Sequence, residues 1–396
     1  MTRNIVKGIR VEFLLEFLPD LRIQIPPEFA MSHWVITVIR LQFLALTTIL
    51  LTSLLGLIIV ESYYWNSSSV CKICRFHPEL GWETTPSKTV IAGELTYATN
   101  SMGMRSGEVD LSRENILIVG DSVAFGLGVN NDETISHYLE NDKKINRLKY
   151  QVLNISVPGF GIGQYYLNLQ RNIDLLNPKL ILLVVNTEND LQDTRQEMNF
   201  GRSKPILTSQ NDRLVNLNPN ISRFSCYNLY TRLRFAKFLI GNCQPNITEP
   251  NKVKISIGMI INEIRKLGIQ KGTPTLIVLS PALAAVKFAT CSKKIPKDTC
   301  LEHDDAFYNV SFYNEYGYFK KIMKSKKIPY IDFLTHLVEY SKEQPIHSLY
   351  RKGDIRHFSP KGNYVFAQTI AKRLATDFDL NKLAPFSPSF SSAKDR

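Results

Sequence analysis

No cluster of lysine and arginine interleaved with aromatic residues occurs in this chain of 396 residues, although 48 Lys and Arg stand against 36 Asp and Glu for a net charge of +12. Without such a motif the basic excess points away from nucleic acid, toward an anionic membrane surface or an acidic glycan. Neither a second Cys pair nor a His pair completes a four-ligand set with Cys71 and Cys74, which argues against zinc. No metal and no cofactor is expected. Charge is also missing from Leu41 to Val60, LQFLALTTILLTSLLGLIIV. Twenty such residues, at about 1.5 Å of rise each, span the roughly 30 Å hydrocarbon core of a bilayer. Apolar character all round, between Arg40 and Glu61, argues against an ordinary core helix. About forty residues precede the run and no small-x-small cleavage site closes it, so a removed signal peptide fits poorly.

What is present is globular in composition. At 44% hydrophobic and 21% charged residues, the chain supports one large domain with appendages. The expected organisation is a leader over 1–40, a transmembrane helix over 41–60, a stalk and extension over 61–112, an α/β domain over 113–376 and a disordered tail over 377–396, rich in Ser, Pro and Lys. Basic residues close to the span nearly tie, with Arg22 and Arg40 before it and Lys72 and Arg75 after it; Arg3, Lys7 and Arg10 tip the amino terminus toward the cytoplasm. Residues 61–396 are then extracytoplasmic, with Tyr63, Tyr64 and Trp65 at the outer interface. The leader from Ile9 to Ile25 has mixed helical spacing and reads either as a helix on the inner surface or as an ordinary short helix.

The six cysteines agree with an oxidising location. Cys226 with Cys243, and Cys291 with Cys300, are local pairs in polar sequence, as expected of disulfides closing loops. Cys71-Lys72-Ile73-Cys74 allows redox exchange or zinc, but beside a membrane it reads foremost as a structural disulfide in a stalk.

Beyond the stalk, apolar runs alternate with helical periodicity. Strands are predicted at Ile116–Val119, Val152–Ile155, Leu180–Asn186, Thr275–Ser280 and Pro329–Asp332, and helices at Asp132–Leu148, Gly161–Leu176, Lys252–Leu267, Glu315–Lys326 and Pro360–Leu374. Five strands separated by helices imply right-handed crossovers and a three-layer α/β/α fold, with the site at the carboxyl ends of the strands. The stretches Asp193 to Pro250 and Pro281 to Asn314 read as long loops that either roof the site or pack the flank of the sheet.

Gly120-Asp121-Ser122 closes the first strand and places a hydroxyl where α/β proteins carry nucleophiles. The tripeptide alone also describes a turn with Asp121 as a helix cap. Asp354-Ile355-Arg356-His357 supplies a carboxylate and an imidazole three positions apart, so that Ser122, His357 and Asp354 form a candidate catalytic triad. The other six histidines, His33, His77, His137, His303, His336 and His347, lack a comparable motif. Asn154-Ile155-Ser156-Val157-Pro158-Gly159 and Thr187-Glu188-Asn189-Asp190 follow the second and third strands and bring polar or glycine-bearing elements to the same sheet edge.

With these pieces the sequence resembles the SGNH (GDSL-type) hydrolase family, whose four blocks carry Ser, Gly, Asn and His in that order; here they match Ser122, Gly159, Asn189 and His357. Thr99 to Arg105, Phe125 to Val129 and Glu133-Thr134 are similar to a membrane-tethered bacterial branch. One departure is visible: Thr187 stands where the third block usually has glycine. The resemblance implies a flavodoxin-like fold and an oxyanion hole formed by the backbone N–H of Ser122, the backbone N–H of Gly159 and the Asn189 side chain, with Asp121 and Asp190 in support. It further implies an ester hydrolase working through an acyl-enzyme on O-acetylated glycans or lipid esters; the expected partners are this small-molecule or glycan ester substrate and the lipid bilayer around 41–60, without nucleic acid and with the oligomeric state left open. Acyl transfer to a sugar hydroxyl is the near alternative, and a non-catalytic glycan-binding or scaffold protein of the envelope the distant one.

Overall fold

The computed structural model describes residues 33–67, 71–199, 202–219, 221, 248–293, 306–379 and 384–385. The chain divides into two compact units after Ser68. The first contributes one described helix, α1 (His33–Ser67). Within it Thr37–Ile59 has a mean hydropathy of 2.1 and no buried residues, so it is long and apolar enough to cross a membrane. Its few hydroxyls turn back on the backbone: Thr47 donates to the carbonyls of Phe43 and Leu44, Thr48 to that of Leu44 and Thr52 to that of Thr48. That satisfies these hydroxyls within the helix itself.

The second unit is built on one parallel sheet, whose strands are β1 (Asn115–Val119), β2 (Gln151–Asn154), β3 (Leu180–Asn186), β4 (Thr275–Ser280) and β5 (Tyr330–Asp332). Their order across the sheet is β5-β4-β3-β1-β2, and every pairing is parallel. β1, β3 and β4 read NILIV, LILLVVN and TLIVLS and are buried throughout, as strands covered on both faces must be. The register sets Leu117 beside Ile181 and Leu183 beside Ile277, so the central strands share one apolar layer.

Helices cover both faces. α5 (Ile162–Leu176), α7 (Pro250–Gln270) and α9 (Ala306–Ser325) lie along one, while α3 (Ile135–Glu140), α4 (Lys143–Arg147), α10 (Phe333–Tyr340) and α11 (Pro360–Asp377) lie along the other. Of the remaining helices, α2 (Ser122–Phe125) opens directly after β1, α6 (Asp190–Arg195) follows β3 and α8 (Leu283–Cys291) follows β4. This is a three-layer, flavodoxin-like α/β/α architecture. The chain leaves β1 for β2 on one side and returns past it to β3 on the other, so the crevice opens above the carboxyl ends of β1 and β3.

Several expected elements differ in detail. The single helix expected over Asp132–Leu148 is a short 3-10 turn followed by α3 and α4, because Asn141 ends one helix and Asp142 starts the next by accepting from the Lys144 N–H. Pro281 to Asn314, read as a loop, contains α8 and the opening of α9, which begins at Ala306 rather than at Glu315; in α8 Leu283, Ala284, Ala285, Val286, Phe288 and Ala289 are buried and only Lys287, Thr290 and Cys291 are partly exposed, so its polar face is too narrow for periodicity to detect. Asp193 to Pro250 opens within α6 and carries the hairpins Met198–Asn199 with Arg202–Ser203 and Leu207–Gln210 with Arg213–Asn216. Ahead of the sheet, Cys74–His77 pairs with Gly81–Thr84, and Thr89–Ala92 with Leu95–Ala98.

Cys71 and Cys74 are joined in a disulfide, and Cys291 is disulfide-bonded. The leader over 9–25, the expected pair of Cys226 with Cys243, Cys300 and the side chains of Tyr63, Tyr64 and Trp65 lie outside the described residues. So does the tail expected to be disordered over 377–396, apart from 377–379 and Ala384–Pro385; there Asp377 ends α11 and Phe378–Asp379 pairs with Ala384–Pro385, so these residues are ordered.

Candidate active site

Ser122 enters the crevice because of the residues on either side of it. Gly120 lets the turn after β1 pass close to β3: a Cβ there would lie 2.6 Å from the Ala124 Cβ and 2.9 Å from the Val184 carbonyl oxygen. Asp121 then caps α2, its Oδ1 accepting from the Val123 N–H at 2.9 Å, and its Oδ2 accepts from Asn186 Nδ2 at 3.0 Å. Asp121 therefore ties the nucleophile turn to the end of β3, and Ser122 Oγ lies 3.4 Å from its Oδ2.

The imidazole that meets Ser122 comes from far along the chain. His357 Nε2 lies 2.9 Å from Ser122 Oγ, across 235 positions of sequence, and its Nδ1 lies 2.7 Å from Asp354 Oδ2. Asp354 Oδ1 accepts from the backbone N–H of Arg356 at 2.8 Å and of His357 at 3.1 Å, so the carboxylate is fixed by its own loop. Burial pushes the Asp354 carboxyl up, but the hydrogen bond and charge of His357 and these two backbone donors hold it well below the usual carboxylate range. Phe358, the next residue, packs its ring against Phe333, Tyr350 and Phe366, anchoring the loop in the core.

The sign of this shift fixes a pH effect. A carboxyl held lower in the folded chain stabilises it at pH values above its unfolded range, and that contribution is lost as pH falls through the folded value. The stability gap between wild type and Asp354→Asn is thus expected to be flat near neutrality and to shrink below about pH 4. Urea melts of both proteins across acid pH measure it; a gap that widens on acidification contradicts the assignment.

Gly159 and Asn189 flank this relay on separate loops. Gly159 has φ +78°, the left-handed region, and its carbonyl accepts from Asn199 Nδ2 at 3.0 Å. Trp82, buried in the hairpin before the sheet, donates its indole N–H to the neighbouring Pro158 carbonyl at 3.0 Å and meets Phe160 edge-on. Asn189 stands at the start of α6, with its Nδ2 donating to Asp193 Oδ2 at 2.9 Å. Neither Gly159 nor Asn189 hydrogen-bonds Ser122. Asp190 is fully buried, accepting from the Tyr165 hydroxyl at 2.6 Å and from the Asn186 N–H at 2.9 Å, and burial with the nearby Asp121 charge pushes its carboxyl well up. Thr187, at the position where glycine was expected, turns its hydroxyl and N–H onto the Ser280 carbonyl, at 3.1 and 3.0 Å.

Four side chains were not singled out by their types alone. Arg105 is buried beneath the loop after α2. Its Nη1 donates to the carbonyls of Phe125 and Gly126 at 3.1 and 2.5 Å, its Nη2 to Val129 at 2.6 Å and its Nε to Asn131 Oδ1 at 3.1 Å. The guanidinium also lies over the rings of Tyr97 and Phe125, at 4.6 and 4.7 Å, and burial lowers it to about 10. The separately matched segments 99–105 and 125–129 are thus one unit in space. Glu188 is buried with Oε2 2.6 Å from Arg356 Nε, next to His357. Burial raises its carboxyl while Arg356 pulls it back. Asp193 and Lys204 are both buried behind Asn189; burial raises the carboxyl and lowers the ammonium, and their attraction opposes both shifts. The signal that could have found Arg105 was its place in the similar 99–105 segment, and for Glu188 its place in the block from Thr187 to Asp190; Asp193 and Lys204 carried none.

In fold the chain is similar to the crystal structure of an acetyl xylan esterase, AlAXEase, at 13% identity and a TM-score of 0.39, over 66% of this chain and 99% of that one. A lipase/acylhydrolase from Enterococcus faecalis matches at 12% identity and a TM-score of 0.36, over 66% and 95% of the two chains. The psychrotrophic esterase EstA from Pseudoalteromonas matches at 11% identity and a TM-score of 0.33, over 65% and 95%. All three are esterases or acylhydrolases. No protein-family model and no curated protein matches the chain. At identities and scores this low, the chemistry is judged from this chain's own atoms.

Proposed function

We propose that this chain is a membrane-tethered serine ester hydrolase of the SGNH type, acting outside the cytoplasm on ester groups of the O-acetyl-carbohydrate or lipid class. The observation that carries this reading is the unbroken line from Asp354 through His357 to Ser122, at 2.7 and 2.9 Å. A serine hydroxyl is a weak nucleophile until a base within about 2.6–3.2 Å can take its proton. In the first half-reaction Ser122 Oγ attacks the ester carbonyl as His357 Nε2 takes the hydroxyl proton, and Asp354 stabilises the resulting imidazolium. The oxyanion is received by the Ser122 and Gly159 N–H groups and the Asn189 amide. Collapse expels the alcohol, protonated by His357, and leaves an acyl group on Ser122. Water activated by the same imidazole then releases the acid.

Assay of the full chain in detergent on a short-chain aryl acetate tests this, with acetate release expected from wild type and none above background from Ser122→Ala. Adding a sugar acceptor separates hydrolysis from transfer: acetylated sugar in place of free acetate would make the protein an acyltransferase. An inactive wild type that binds glycan would leave the envelope scaffold as the better reading.

Topology has its own test. Intact cells treated with a membrane-impermeant thiol reagent are expected to show labelling of the 61–396 region only after external reduction opens its disulfides, Cys71–Cys74 among them. Cysteines that react only once the cells are broken would place that region in the cytoplasm and remove the extracellular glycan as substrate.

A further inference from the structure

Asn189 carries an imbalance. Its amide nitrogen donates to Asp193 Oδ2 at 2.9 Å, while its carbonyl oxygen Oδ1 is buried and accepts from no group among the described residues. A buried acceptor without a donor is costly, so something must hold the amide this way round. Turning it over would set that oxygen against the Asp193 carboxylate, two acceptors face to face. Asp193 therefore decides which end of the amide is which. One N–H of Nδ2 is engaged by the carboxylate, and the second remains to donate elsewhere.

The same carboxylate reaches the other loop. Asp193 Oδ1 accepts from Asn199 Nδ2 at 2.9 Å, and that nitrogen also donates to the Gly159 carbonyl at 3.0 Å. The loops after β2 and β3 thus meet on one acid. Lys204 backs it: its ammonium is buried and donates to the Asp193 main-chain carbonyl. Asp193 hydrogen-bonds neither Ser122 nor His357, so any effect it has on the reaction passes through its neighbours.

We propose that Asp193 is a positioning residue of the oxyanion hole, its carboxylate fixing the orientation of the Asn189 amide and tying it, through Asn199, to the Gly159 loop. This rests on the ester-hydrolase reading given above. Donors held in place before the oxyanion forms lower the barrier because no reorganisation is left to do. Loss of the carboxylate should therefore appear in kcat and leave KM nearly unchanged.

A double-mutant cycle on the full chain in detergent, with p-nitrophenyl acetate as the probe, tests the coupling. Asn189→Ala is expected to lower kcat by about 10²–10³-fold. Asp193→Ala is expected to lower it by about 10–100-fold, the scale typical of groups that orient a reacting residue, with KM within about twofold. In the Asn189→Ala background Asp193→Ala should cost clearly less than it does alone, since the amide it orients is gone and only its tie to the Gly159 loop remains. Losses that multiply in the double variant, or a loss confined to KM, overturn the proposal and leave the hydrolase reading standing. An unchanged kcat in Asn189→Ala instead overturns Asn189 as an oxyanion donor, and the role of Asp193 falls with it. If Asp193→Ala does not fold because Lys204 is stranded, the cycle is repeated in Lys204→Met. Failure to fold there as well, with Asn189→Ala folded, assigns Asp193 to stability alone and overturns the proposal.

Discussion

Ser122→Ala is expected to lose labelling by a fluorophosphonate probe and to lower kcat on an aryl acetate by about 10⁴-fold or more, with the fold retained. The magnitude follows from the role: without Oγ there is no acyl-enzyme, and only the binding and polarisation of the substrate remain. Retention of the fold follows from the structure. The α2 cap depends on the Asp121 carboxylate and the Val123 N–H, and the turn on Gly120; none of these uses the Ser122 hydroxyl. Mass spectrometry of the labelled protein should place the adduct on the peptide containing Ser122. Equal labelling of wild type and Ser122→Ala would remove this serine as nucleophile.

Asp354→Asn is expected to lower kcat by up to about 10⁴-fold while His357 stays in place. An asparagine amide offered to Nδ1 can stabilise the tautomer that carries its proton on Nε2, which leaves no lone pair for the Ser122 proton. The carboxylate also offsets the positive charge that His357 gains in each half-reaction. The near-UV spectrum and the urea midpoint near neutrality check that the loop has not collapsed, since Phe358 still packs on Phe333 and Phe366. Activity within about tenfold of wild type would show that Ser122 and His357 suffice as a dyad.

The sequence by itself determined the sheet and the relay. Runs such as LILLVVN and TLIVLS are apolar at every position because both faces of a parallel sheet are covered, and β3 and β4 begin and end where that pattern does. Ser122 was legible as a candidate because it closes such a run ahead of the polar blocks after the next two strands, and Asp354 with His357 because three positions in one loop can bring a carboxylate to an imidazole. The helix through Thr37–Ile59 was legible for a similar local reason, since the twenty uncharged residues from Leu41 to Val60 are apolar all round and long enough to cross a bilayer. Tertiary structure alone decided how the donors are held. Trp82 reaches Pro158 across 76 positions, Arg105 reaches Val129 across 24 and Arg356 pairs with Glu188 from another strand end, and no periodicity records such pairings. Helix α8 escaped because it is mostly buried, with only Lys287, Thr290 and Cys291 partly exposed, and the break between α3 and α4 because a single Asp142 side chain outcompetes helix continuation. Asp193 is the clearest case: in sequence it is one more acid at the start of a polar stretch, and only the closing of two loops over Lys204 gives its carboxylate an amide to hold on each side. Local pattern reports which residues face the core; which polar groups meet there depends on how distant segments pack.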